Sequence, residues 1–203
     1  MKRFFLLLCC IVMLGLTSVS NAETFDAVRE YSCDQPSAGV WYYEAYRHSD
    51  GTYLSMVFGH APITEASKYG LDAHYLPDGG QPYYPFITVF DKDIVLSPST
   101  FGDKFDAVLA WEPPYVSDIT ASGSVRLMGN IKGGAAAGKK VNVKLSLGGK
   151  TLWSAEVAGD NAVPFSVKSA VLEKDRLRLQ FENAGDTSGD IVAVQMQVET
   201  TKK

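Results

Sequence analysis

The sequence predicts an all-β protein, a two-sheet antiparallel β-sandwich of jelly-roll type, on three observations. Apolar residues recur with period two in many short segments. Turn formers (Gly, Pro, Asp, Ser) bound those segments. No window longer than about ten residues carries the 3.6-residue periodicity of an amphipathic helix. About ten such strands in one chain suit two packed sheets.

The C-terminal half is the most regular. "GSVRLMGNI" places Val125, Leu127, Gly129 and Ile131 on one face and Ser124, Arg126 and Met128 on the other. The "KGGAAAGKK" stretch that follows lacks the Lys-Ser/Thr ending and the helix of a phosphate loop, so it is a solvated connection. "VNVKLSL" alternates Val141, Val143, Leu145 and Leu147 with polar residues, and Gly148-Gly149 then turns the chain into "KTLWSAEV". Two glycines suit a tight hairpin because both central positions can take positive φ. "VPFSV", "DRLRLQFEN" and "DIVAVQMQV" repeat the alternation.

In the N-terminal half, "TYLSMVF", "PFITVF" and "DAVLAW" are short apolar or β-branched runs that also suit strands. "APITEASKYGLDAHY" has room for one or two helical turns. In "AGVWYYEAYRHSDGTYLSM", alternation puts Trp41 and Tyr43 on one face and Tyr42 and Glu44 on the other. Only one pair can be core, and Trp41 and Tyr43 are the expected pair. The expected core comprises Trp41, Tyr43, Leu109, Trp111, Val125, Leu127, Val143 and Leu145.

Residues 1–22 read as a cleavable secretory signal. Lys2 and Arg3 precede an apolar run from Phe4 to Leu14, too short to span a bilayer, and Ser20 and Ala22 offer small residues for cleavage. Residues 23–203 then form one domain, exported to the periplasm or the medium, with no transmembrane segment after cleavage. Cys9 and Cys10 fall inside the leader, which leaves Cys33 alone, with no intrachain disulfide and no catalytic signature around it. The full chain has 19 Lys and Arg against 23 Asp and Glu, and losing Lys2 and Arg3 makes it more acidic. Nucleic acid is therefore not an expected partner.

No catalytic constellation is visible. The chain lacks a Gly-x-Ser-x-Gly elbow, and His48, His60 and His74 have no metal-ligand spacing. Nothing nominates a carboxylate pair for glycoside cleavage. "DTSGD", Asp186 to Asp190, offers oxygen donors of the kind calcium takes, but it lacks the full calcium-loop spacing and is read first as a polar hairpin turn; no cofactor is expected, structural calcium being the one candidate.

The longest stretch without a clear strand runs from Gly59 to Pro85. Loops beyond about 12 to 15 residues tend to carry function unless disordered, and this one is too aromatic for disorder. It places Tyr75, Asp78, Gln81, Tyr83 and Tyr84 within a few residues of one another. A tyrosine ring offers an apolar face to the C–H face of a sugar while its hydroxyl stays in water. These five are the expected ligand-binding residues, with a glycan as ligand.

The order of motifs resembles the carbohydrate-binding-module-like, galactose-binding-like β-sandwich domains of secreted bacterial proteins. The segments that carry it are "VWYYEAYRHSDGTYLSM", "PFITVFDKDIVLSPST", "DAVLAWEPPYVSDITASGSVRLMGNI", "VNVKLSLGGKTLWSAEV" and "GDIVAVQMQV". Trp41 and Tyr43, Pro98, Trp111 and Pro114 match the pattern in order. So do Gly123, Val125 and Gly129, and Gly149, Lys150, Leu152 and Trp153. The chain departs from the pattern at Ser97, where His is common, and in an insertion-like "YVSDITAS" after Trp111. The resemblance implies a sandwich that attaches to glycans without catalysis, with Trp41 and Tyr43 in the core. The alternative, a structural or adhesive envelope domain that binds a protein partner, remains open because one fold hosts many functions.

Overall fold

The computed structural model describes residues 22–60, 65–77, 85–98, 105–136, 139–183 and 191–202. Its strands are β1 (Ala22–Asp26), β2 (Trp41–Arg47), β3 (Thr52–Ser55), β4 (Val57–Gly59), β5 (Ala73–Tyr75), β6 (Phe86–Phe90) and β7 (Asp93–Ser97). They continue as β8 (Phe105–Trp111), β9 (Ser117–Met128), β10 (Lys140–Leu147), β11 (Lys150–Ala158), β12 (Val163–Val171), β13 (Leu177–Asn183) and β14 (Ile191–Lys202). One helical turn, α1 (Glu65–Lys68), is the sole helix among the described residues. Two antiparallel sheets result. An eight-stranded sheet runs β12-β9-β14-β7-β6-β5-β4 with β1 added to β14, and a six-stranded sheet runs β11-β10-β13-β8-β2-β3.

The core lies between the sheets. All eight expected core residues are buried there, and Trp41 and Trp111 are register partners on β2 and β8. Trp41 Nε1 donates to Glu30 at 2.8 Å, so its one polar atom is partnered. The Gly148-Gly149 hairpin forms as expected, with φ of 55° and 84° at its two glycines.

Gly123 has a packing reason of its own. A Cβ built on it would meet the Gln195 carbonyl oxygen at 1.9 Å and the Phe165 ring at 2.8 Å, so at this position the close approach of β9 to its neighbours leaves no room for a side chain.

Three segments differ from the sequence expectation. The stretch from Gly59 to Pro85 is not free of strand, because Ala73–Tyr75 pairs with both β4 and β6. From Ser117 on, the insertion-like "YVSDITAS" is part of β9, paired with β14. That strand ends at Met128, so Gly129 and Ile131 lie beyond it, where Gly129 lets the chain pass close to the Ala135 carbonyl.

Among the described residues no helix is long and apolar enough to cross a membrane. Cys33 is an exposed free thiol. A cut after Ala22 would leave Glu23–Asp26 of β1 paired with β14.

Candidate functional site: the outer face of the six-stranded sheet

Side chains that alternate out of the core on the six-stranded sheet form three rows, each set by the strand register. The first joins Ser146, Arg178, Ala110 and Tyr42. Lys144, Gln180, Val108, Glu44 and Ser55 make the second. In the third, Asp106 stands beside Tyr46, and Tyr46 beside Tyr53. The middle strand, β8, contributes only the short residues Asp106, Val108 and Ala110 to this face, and all three are fully buried. Longer side chains from β2 and β3 on one side and β13 on the other meet above them.

Those bridges are polar and aromatic. Glu44, nearly fully buried, accepts from Arg176 Nη1 and, at 2.8 Å, from Arg178 Nε. Arg176 Nε also donates to Glu112 at 2.8 Å. Burial works against the charge on Arg176, but its bonds to Glu112 and Glu44 outweigh that and raise its pKa above the ordinary arginine value. Each guanidinium also lies over a ring: Arg176 is 3.8 Å from the Tyr42 centroid and Arg178 is 4.0 Å from that of Tyr53.

Beside this pair runs a hydrogen-bonded chain. His48 Nε2 donates to Asp106 at 2.8 Å, Gln180 Nε2 donates to the other Asp106 oxygen, and Tyr53 Oη donates to Gln180 Oε1 at 3.4 Å. Burial pushes the Asp106 carboxyl above its ordinary pKa, against the bonds from Gln180 and His48. The Tyr46 ring meets His48 edge-on at 5.1 Å and Tyr53 at 5.0 Å. Two shallow depressions lie on this face, one reaching Gln180 and the other Arg176 and Arg178. Lys144, Ser154, Glu156 and Glu182 line one; Glu112, Lys174 and Asp175 line the other.

The face therefore offers half-buried rings beside guanidinium groups and the Glu112 carboxylate, over buried Glu44, Asp106 and Gln180. Such a mixture stacks on apolar faces and hydrogen-bonds hydroxyls. Sequence alternation had already put Tyr42 and Glu44 together opposite the core; register alone brings β13 and β8 to them.

Of the residues expected from the sequence, Tyr75 lies on the outward side of the opposite, eight-stranded sheet. It is half-buried there against a small cluster that includes Ala66 of α1, Phe86 and Val95. Asp78, Gln81, Tyr83 and Tyr84 lie outside the described residues, as does Asp186 to Asp190. His74 is a core residue: it stacks on Tyr43 at 4.0 Å, donates from Nε2 to Ser32 O at 2.8 Å and accepts at Nδ1 from Gln35 at 3.2 Å.

No protein-family model matches the chain, and no curated protein matches its sequence. Among solved structures it is similar to a carbohydrate-binding module of family 29, with a TM-score of 0.37 and 11% identity over 58% of this chain and 74% of that one. A family 51 module from Clostridium perfringens, solved with methyl-galactose, gives 0.38 and 15% over 76% and 99%. The CBM36-1 domain of a multidomain xylanase from the hindgut metagenome of Trinervitermes trinervoides gives 0.33 and 11% over 77% and 95%. These likenesses concern the arrangement of strands. The ligand question rests on this chain's own residues.

Proposed function

We propose that this chain is an exported, non-catalytic glycan-binding module whose principal ligand surface is the outer face of the six-stranded sheet. One observation carries the reading. The β2–β3 pair and β13, far apart in sequence, bring Tyr42, Tyr46, Tyr53, Arg176 and Arg178 together on one face, with their polar atoms organised by the buried Glu44, Asp106 and Gln180. Rigid strands hold such groups in position before the ligand arrives, which lowers the ordering cost of binding. The segment from Tyr75 through Asp78, Gln81, Tyr83 and Tyr84 belongs to the proposal as a second set of contacts, supported by its aromatic composition.

A domain that docks on a protein partner is the second reading. It is favoured by β4, the last strand of its sheet, where Val57 and Phe58 are 45% and 40% exposed.

Titration calorimetry of the purified protein against soluble polysaccharides separates the two. Saturable binding that weakens in Tyr53→Ala and not in Phe58→Ser supports the glycan reading. Absence of binding to every glycan tested leaves the protein-docking reading.

A further inference from the structure

We infer that the outer face of the six-stranded sheet takes an uncharged glycan chain and discriminates against polyuronates and sulfated glycans; the inference rests on the glycan reading above. Arginine recognises a ligand carboxylate or sulfate by presenting two parallel N–H groups from one edge of its planar fork. Here each arginine already holds a carboxylate of its own protein, Arg176 at both edges of its fork and Arg178 at the Nε edge. Arg176 spends Nε on Glu112 and Nη1 on Glu44, so a carboxylate of its own protein touches either edge of the fork. Arg178 spends Nε on Glu44.

Glu44 is 3% exposed at its side chain, against 26% and 21% for Arg176 and Arg178. The shared carboxylate is thus the buried member, and the arginines cover it. At either edge of Arg176, or at the Nε edge of Arg178, a ligand anion would have to displace a carboxylate of the protein, and stripping the buried Glu44 of its partners is costly.

The remaining charges point the same way. Besides Glu44 and Glu112, the face and its two depressions carry Asp106, Glu156, Asp175 and Glu182. Lys140 is paired with Glu156 at 2.8 Å. Lys144 and Lys174 are the other cations there, so carboxylates at least balance the cations and the face has no positive field to attract an anionic polymer. What remains available is hydrogen-bonding capacity and ring surface, which suit hydroxyl groups and C–H faces.

The test is calorimetry or affinity electrophoresis of the purified protein against a neutral galactomannan, a neutral β-glucan, polygalacturonate and a sulfated galactan, each at low and high salt. Expected is binding to a neutral chain that changes less than about twofold with salt, with the anionic chains at least about tenfold weaker. Glu44→Gln, which releases both guanidiniums from their shared partner, is expected to gain polygalacturonate binding that salt abolishes. Tighter binding of an anionic chain by the wild type overturns the inference while leaving the glycan reading intact. Absence of binding to all four chains takes down both. Should Glu44→Gln fail to fold, the wild-type ranking and its salt dependence still decide.

Discussion

Arg178 lies over the ring of Tyr53, 4.0 Å from its centroid, while its Nε reaches across β8 to Glu44 at 2.8 Å. Residues from β13, β3 and β2 are thereby joined above β8, whose own outward residues are too short to reach solvent. The arrangement explains why a charged glutamate sits nearly buried on the outside of a sheet.

Tyr53→Ala should weaken binding of a neutral glycan with little loss of stability. Losing one stacking ring is expected to cost about 1 to 3 kcal/mol of binding, by analogy with aromatic stacking on nucleic-acid bases. Tyr43→Ala, one strand away but inside the core, should instead cost about 3 to 5 kcal/mol of folding stability. Calorimetry with the glycan and urea unfolding of both variants check the contrast. Equal losses of stability in the two would mean that Tyr53 serves the scaffold.

Gly123→Ala should destabilise the sandwich by about 1 to 3 kcal/mol or more, the usual cost of overpacking. The added carbon would sit 1.9 Å from the Gln195 carbonyl, which belongs to the backbone and cannot rotate away. Denaturant unfolding measures it, and a midpoint equal to that of the wild type would show that β9 and β14 can part at no cost.

Acidification should lower stability through the neutral-to-acid range, with His74 contributing. Burial holds the His74 pKa below its ordinary value, against the opposing effect of its bond to Ser32. Between that lowered pKa and about 6.5 the unfolded chain binds a proton that the folded chain does not, so stability falls as pH falls through this window. His74→Gln should be less stable than the wild type at neutral pH and show a shallower pH slope. Urea midpoints of both proteins across the range test this; parallel slopes would remove His74 from the effect.

The Tyr83→Ala, Tyr84→Ala double variant should bind the glycan more weakly than the wild type and melt at a similar temperature. Unchanged affinity, or a large drop in melting temperature, would assign those rings to the scaffold and leave the sheet face as the whole site.

Local pattern determined much of this protein. Period-two alternation put Trp41 and Tyr43 on one face and Tyr42 and Glu44 on the other, because successive side chains on a strand have no other choice, and the motif order then marked the first pair as core. Alternation identified Val125, Leu127, Val143 and Leu145 as core, and the paired glycines at 148 and 149 announced their hairpin through the positive φ that such a turn requires. Short strands were harder to read. Ala73–Tyr75 is three residues long, too brief for any period to show, and is held by its neighbours β4 and β6.

The sheet face was decided only in three dimensions. Arg178 is 134 residues from Glu44, and Tyr53 is 127 from Gln180. Their meeting depends on β13, β8, β2 and β3 standing side by side in one register, and a shift of one residue would turn Arg178, Gln180 and Asp106 into the core. Alternation says which face a side chain takes; only the pairing of strands far apart in the chain says which side chains it will meet there.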